Sequence, residues 1–184
     1  AYHYTYDGQN RITKVKLGGN GEVFNRFSYS FGDDRHVTYF TDARDTKWKY
    51  TFDKKGRLLK KTGTWQSGTE RFEYNDEDAP YKYSARIDET NRRWEYEYNK
   101  RRNVTKIVSP GQVRTHLKWG EKYNRLKKKN IEGVAGEWNY TYDNNGNLLE
   151  VSDPAGRTTL YEGYNRWGKP QAVTNGAGET TELK

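Results

Sequence analysis

Short runs of alternating aromatic and polar residues recur along the chain, among them YHYTY at 2–6, WKYTF at 48–52, WEYEY at 94–98 and WNYTY at 138–142. A spacing of two puts Trp48, Tyr50 and Phe52 on one face of a β-strand and Lys49 and Thr51 on the other. Each run ends at a turn signal, so the pattern predicts strands with one aromatic and one polar face. No stretch joins a capping residue to a 3.6-residue apolar period, so no helix is predicted.

The strands belong to a repeat. The last aromatic before each turn signal is Tyr6, Phe31, Phe52, Tyr74, Tyr98, Trp119, Tyr142 and Tyr164, at intervals of 21 to 25 residues. Two positions earlier stand Tyr4, Tyr29, Tyr50, Phe72, Tyr96, Leu117, Tyr140 and Glu162. A period of this size marks a stack of small units that bury their apolar faces on one another.

The turn chemistry repeats with the aromatics. In Asp143-Asn144-Asn145-Gly146 the Asp side chain can accept a backbone N–H two residues on. Gly146 supplies the positive φ of a type I turn with a bulge. Asp53 to Gly56 and Asn165 to Gly168 follow the same recipe, and Asp7 to Asn10 ends on Asn. At Arg35, Asp78, Arg102 and Tyr123 the fourth residue disfavours positive φ, so those turns either carry strain or take another shape. A second strand follows, as at 57–61, 103–108 and 147–152, and then a second turn. Asp153-Pro154-Ala155-Gly156 fits type I with Pro second, and Ser109-Pro110-Gly111-Gln112 fits type II with Gly third. Gly18 to Gly21 and Asn175 to Gly178 are looser versions. Each repeat is therefore expected to be a hairpin with strands of seven or eight residues. Its structural residues are the eight aromatics together with Asp7, Asp53, Gly56, Asp143, Gly146, Asp153, Pro154, Gly156 and Gly168.

Composition sharpens this picture. Leu, Ile, Val and Phe number 28, about 15% of the 184 residues, and the net charge is +8. A rule based on these residues alone would class the chain as disordered. The 16 Tyr and 6 Trp overturn that class, because they supply large faces to bury. A thin sheet held by aromatic packing is expected rather than a thick aliphatic core. There is no Cys, hence no disulfide and no thiolate chemistry. No apolar run approaches the roughly 20 residues of a membrane span, and no signal peptide is evident. Met is absent, and both ends fall within the pattern. The expectation is one array of about eight hairpins over 1–184, part of a longer polypeptide.

YTYDNNGNLLEVSDPAGRTTLY, YTFDKKGRLLKK and YTYDGQNRITKV resemble the YD repeats of the Rhs (rearrangement hot spot) family. The resemblance spans nearly the whole chain, is strong in units one, three, seven and eight, and implies an all-β fold of tandem antiparallel hairpins in an extended, curved sheet. It further implies a structural, non-enzymatic role in a hollow shell around a toxin or effector cargo, in a bacterial protein secreted by a type VI or other system or held at the cell surface. The implied partners are the rest of the shell and the enclosed toxin domain. Family members cleave themselves with paired aspartates in a terminal module that is not seen here. Asp153-Pro154-Ala155-Gly156 is similar to part of that motif, but RTTLYEGY continues the ordinary repeat after it.

Other chemistry finds little support. The turn aspartates do not match an EF-hand loop, and the acidic cluster at Asn75-Asp76-Glu77-Asp78 reads as a solvated turn. His3, His36 and His116 sit on separate strands without metal-ligand spacing. No nucleophile and base pair, phosphate loop or dinucleotide fingerprint appears, so no catalytic residue, metal or cofactor is assigned. Exposed aromatics give glycan binding as the alternative function. Basic clusters such as Lys60-Lys61, Lys100-Arg101-Arg102 and Lys127-Lys128-Lys129 are scattered along the array rather than gathered on one element. That scatter argues against a nucleic-acid surface. Open sheet edges would favour self-association.

Overall fold

A computed structural model describes residues 1–18, 21–63 and 68–183. Two compact units divide the chain, residues 1–94 and 95–184. Among the described residues all regular structure is β-strand, seventeen strands in all. In the first unit β1 (Tyr2–Tyr6), β2 (Ile12–Leu17), β3 (Val23–Phe31), β4 (Arg35–Thr41), β5 (Lys47–Asp53), β6 (Leu58–Gly63), β7 (Thr69–Glu73) and β8 (Ala85–Ile87) form an antiparallel meander. The residues of β9 (Arg93–Tyr98) divide between the two units. The second unit continues with β10 (Val104–Val108), β11 (Arg114–Trp119), β12 (Leu126–Ile131), β13 (Trp138–Tyr142), β14 (Leu148–Ser152), β15 (Thr158–Glu162), β16 (Ala172–Thr174) and β17 (Thr180–Glu182), again antiparallel neighbour to neighbour. The expected tandem hairpins are thus present, with strands of three to nine residues rather than a uniform seven or eight.

Packing is as thin as the composition implied. Among the described residues the buried apolar ones are Val15, Ala79, Ala85, Ile87 and Val108, and no large side chain is fully enclosed. Accessible surface is 12945 Å², against about 9,200 Å² for a compact monomer of this mass. Half-buried aromatics therefore carry the cohesion. In β9 Trp94, Tyr96 and Tyr98 are half-buried while Arg93, Glu95 and Glu97 are exposed. In β11 Thr115, Leu117 and Trp119 take the covered face in the same way. Cross-strand rows continue the aromatic face from strand to strand. Phe27 lies opposite Phe40 and Phe40 opposite Trp48, with the first two rings 5.1 Å apart.

Ten turns share one backbone geometry, starting at Asp7, Asp42, Asp53, Asp88, Asn99, Ser109, Asp143, Asp153, Asn165 and Asn175. In each, the first residue's N–H donates to the carbonyl four residues on, and its carbonyl accepts from the N–H three residues on. The fourth residue has positive φ, as in Gly56 at 77°, Gly146 at 84°, Gly156 at 80° and Gly168 at 73°. Asp153-Pro154-Ala155-Gly156 is the expected type I turn. Ser109 to Gln112 departs from expectation, because Gln112 rather than Gly111 takes positive φ, at 62°. Pro110 in second place suits type I, and the left-handed residue comes one position later than a type II turn requires. At the four unfavourable fourth positions both options occur. Arg102 and Tyr123 adopt positive φ, at 63° and 62°. Arg35 instead closes a tight loop by accepting from Gly32 N–H, and Asp78 sits in the longer connection at 74–84. The turn expected at Gly18 to Gly21 includes residues 19 and 20, which lie outside the described residues.

Candidate functional site

The feature that recurs is a clamp between successive hairpins, built from the turn outward. In the turns led by Asp or Asn, a side-chain oxygen accepts from the backbone N–H two and four residues on. Asp53 Oδ1 receives Lys55 N–H and Arg57 N–H, both at 2.9 Å. Its second oxygen receives Arg57 Nε at 2.7 Å. Asp7 with Arg11, Asp88 with Arg92 and Asp153 with Arg157 form the same pair at 2.7, 2.8 and 2.6 Å. Asn147 Nδ2 serves Asp143 in place of a guanidinium, at 2.8 Å.

In the first and third repeats the arginine held by the turn then meets the next repeat. The Arg57 guanidinium lies 4.7 Å from the centre of the Tyr74 ring. The Arg11 guanidinium lies 4.7 Å from Tyr29 and 4.6 Å from Phe31. A cation over an aromatic face is attracted by the ring quadrupole. The polar end of the aromatic is used as well. Tyr74 donates its hydroxyl to the Leu58 carbonyl at 2.9 Å, Tyr142 to Leu126 at 2.8 Å and Tyr164 to Leu148 at 2.5 Å. Trp119 Nε1 donates to the Val104 carbonyl at 2.7 Å, and the Tyr29 hydroxyl to Ile12 at 2.6 Å. Every acceptor is the first residue of a second strand, next to a shift in ladder register. A bulge leaves a backbone group without a ladder partner there, and the following repeat supplies one.

The predicted anchors divide accordingly. Tyr74, Trp119, Tyr142 and Tyr164 make the backward contact. Phe31 and Phe52 have no donor, and in the second repeat Tyr29 makes the contact two residues earlier. Tyr6 and Phe31 are exposed, and Tyr98 is half-buried on β9. The predicted turn residues all occupy turns of the shared geometry. Sequence reasoning missed the turns at Asp42 and Asp88 and the whole role of Arg11, Arg57, Arg92 and Arg157. Their signal was available as a basic residue recurring immediately after D-x-x-[GN].

The clamp sets the local electrostatics. Hydrogen bonds from Arg11 hold the Asp7 carboxyl below the usual carboxylate range, as Arg157 does for Asp153 and the Asn147 amide for Asp143. At Asp53 burial opposes ionisation, and the Arg57 backbone and side chain overcome it. Burial pushes the phenols of Tyr29, Tyr74, Tyr142 and Tyr164 upward. Depressed carboxyl values stabilise the fold above the unfolded pKa of about 3.9, and that contribution disappears as pH falls through the folded values. The thermal midpoint is therefore expected to hold between about pH 7 and 5 and to drop below about pH 4. Raised tyrosine values give the mirror effect, full below the unfolded value of about 10 and lost as pH rises through the folded values. A pH series of thermal unfolding checks both limbs, and a midpoint unchanged from pH 6 to 3 would contradict the carboxylate role.

Catalytic geometry does not emerge from the same residues. Asp143 and Asp153 flank β14 at its two ends, each occupied by its own turn. His3, His36 and His116 lie on β1, β4 and β11, with the His36 ring against Phe31 at 4.9 Å. In the acidic cluster Asp76 accepts from Ala79 N–H at 3.0 Å. Among the described residues no group of three or more His, Cys, Asp or Glu is arranged to hold a metal, and no helix is long and apolar enough to cross a membrane.

Residues 140–180, which contain the Asp143 turn and the contact of Tyr164 with the Leu148 carbonyl, match the family model described as RHS Repeat. The chain carries an Rhs repeat. Its array is 26% identical over 187 residues to the tRNA3(Ser)-specific nuclease WapA of Bacillus spizizenii, covering 91% of this chain and 7% of that protein. The TcdB2-TccC3-Cdc42 crystal structure superimposes on 95% of this chain with a TM-score of 0.58 and 11% identity. The Tc holotoxin pore of Photorhabdus luminescens covers 94% with a TM-score of 0.56 and 14% identity. The array spans 12% of each of those two chains, and at these identities the likeness is one of fold. Together these likenesses support a structural role of the Rhs type.

Proposed function

We propose that this Rhs array is a wall segment of a shell that encloses a toxin or effector cargo, within a longer secreted bacterial polypeptide. The observation that carries the reading is the backward clamp. At five junctions a hairpin receives a donor for its free carbonyl from the next one, and at two of them the next one also supplies rings for its arginine. Such a unit builds continuous sheet and gathers no reactive groups, so its product is a surface. The cargo and the export route belong to the rest of the polypeptide.

The test uses the full-length polypeptide that contains the array. Tyr74→Ala combined with Tyr142→Ala removes two clamps. If the array walls in a cargo, added protease leaves the cargo region intact in the unaltered protein. It should digest that region at least about tenfold faster in the double variant, as local opening becomes more populated. Equal digestion of the cargo in both proteins would rule out enclosure.

A further inference from the structure

The scatter of basic residues along the sequence conceals a single surface in the first unit. Register sorts the lysine doublets by face. Lys61 places its ammonium 4.7 Å from the Trp48 ring on the aromatic side. Its neighbour Lys60 turns to the polar side, opposite Arg71. On that same side Lys14 is opposite Arg26, Arg26 is opposite Thr41 and Thr41 is opposite Lys47. Lys49 lies between these rows, opposite Tyr39 and Thr62. Adjacent strands are about 4.8 Å apart, so the cations are close neighbours.

Facing like charges destabilise a sheet, and little within the unit compensates here. Strands β2 to β7 contain three carboxylates, Asp53, Glu70 and Glu73, and Arg57, Arg86 and Arg93 pair with them. Arg26 pairs with Asp45 at 3.0 Å, but both side chains are more than half exposed, a setting in which ion pairs contribute little. Arg71 donates to the neutral Asn91 side chain at 2.6 Å. Lys14, Lys49 and Lys60 take part in none of the ion pairs among the described residues. Their backbone positions are fixed by the ladder and their side chains are exposed.

We infer that this polar face of the first unit docks a nucleic-acid strand through its phosphodiester backbone. The character of the surface favours this partner over a protein. Protein interfaces concentrate charge at the rim and bury an uncharged centre, whereas here Lys49, its ammonium 5.8 Å from the Tyr39 ring, lies between the two cationic rows. Nucleic-acid interfaces are polar, wet and strongly positive throughout. Ser28 and Ser30 on the same face supply hydroxyls of the kind that bind phosphate oxygens. Stacking platforms lie mainly on the opposite, aromatic face, so the contact reads backbone charge and not base identity.

The test is binding of a labelled single-stranded oligonucleotide to the full chain across a salt series. Lys14→Glu, Lys49→Glu and Lys60→Glu are combined in one variant, and exposed Lys54→Glu, Lys100→Glu and Lys169→Glu in a second. Both sets of three reversals take the formal charge from +8 to +2. Binding should weaken linearly in log salt, and the face variant should lose at least about tenfold in affinity and about 2 in salt slope. The second variant should stay within about threefold of the parent, since its charges lie off the face. A third variant, Lys14→Gln, Lys49→Gln and Lys60→Gln, with an unchanged far-ultraviolet spectrum, separates lost charge from lost fold. Equal losses in the first two variants, no binding at low salt, or tighter binding of polyglutamate or a sulfated polysaccharide than of the oligonucleotide would each overturn the inference.

Discussion

Tyr74→Ala is expected to destabilise its part of the first unit by about 3 kcal/mol, the sum of a lost hydrogen bond, a lost cation–ring contact and lost burial. The hydroxyl leaves the Leu58 carbonyl without its donor, and Arg57 loses the ring beneath it. Tyr74→Phe keeps the ring and removes only the hydroxyl, so it should cost about 1 kcal/mol. The gap between the two variants isolates the stacking and burial. Amide exchange in β5 to β8 is the appropriate readout, because a repeat array need not unfold as one unit. If alanine and phenylalanine cost the same, the arginine contact contributes nothing and the clamp reduces to one hydrogen bond.

Gly136→Ala should have an effect of similar size for a different reason. Gly136 has φ of 87°, and a Cβ built there would sit 2.7 Å from the Pro154 carbonyl oxygen and 3.1 Å from its Cα. Left-handed backbone costs an alanine about 1–2 kcal/mol, and displacing a neighbouring backbone adds about 1–3 kcal/mol. Gly133, in the same connection between β12 and β13, has φ of 85° with nothing within 4 Å of the added carbon. Gly133→Ala therefore carries only the backbone penalty, about 1–2 kcal/mol. Urea unfolding of the pair separates strain from contact. Equal midpoints would mean that the Pro154 turn is not seated on this loop.

The sequence revealed the parts of the molecule that are written locally. Alternation of Trp94, Tyr96 and Tyr98 with charged residues dictates a strand with two faces, and D-x-x-G dictates a turn. The interval between anchors then foretold tandem hairpins. What remained hidden depends on residues far apart in the chain. The partner of the Tyr74 hydroxyl is a carbonyl 16 residues earlier, which no local pattern displays. Lys60 and Lys61 look equivalent in sequence, and only the β5–β6 register separates them. Asp42 and Asp88 head turns whose fourth residues are Asp45 and Asn91, the second of these matching the recipe of Asp7 to Asn10. These hold positive φ at 58° and 62° without glycine, with the first residue's carboxylate binding the same two backbone N–H groups in each turn. Ser109 to Gln112 misled because Gly111 is the natural residue for a type II turn, yet the bulge geometry shared with the other turns prevailed.

The anchor hydroxyl and indole donors reach backwards, from a later hairpin to an earlier one, while the Tyr123 hydroxyl reaches forward to the Asn144 carbonyl. A chain appearing amino-terminus first therefore meets its contacts in order. Each hairpin forms on its own short loop and is locked when the next aromatic arrives about 16 residues later. Contacts of such short range favour fast folding, and synthesis delivers the earlier segment first. The array thus has a polarity in time as well as in space. The backward anchor contacts still to be made during emergence are those of the newest hairpin.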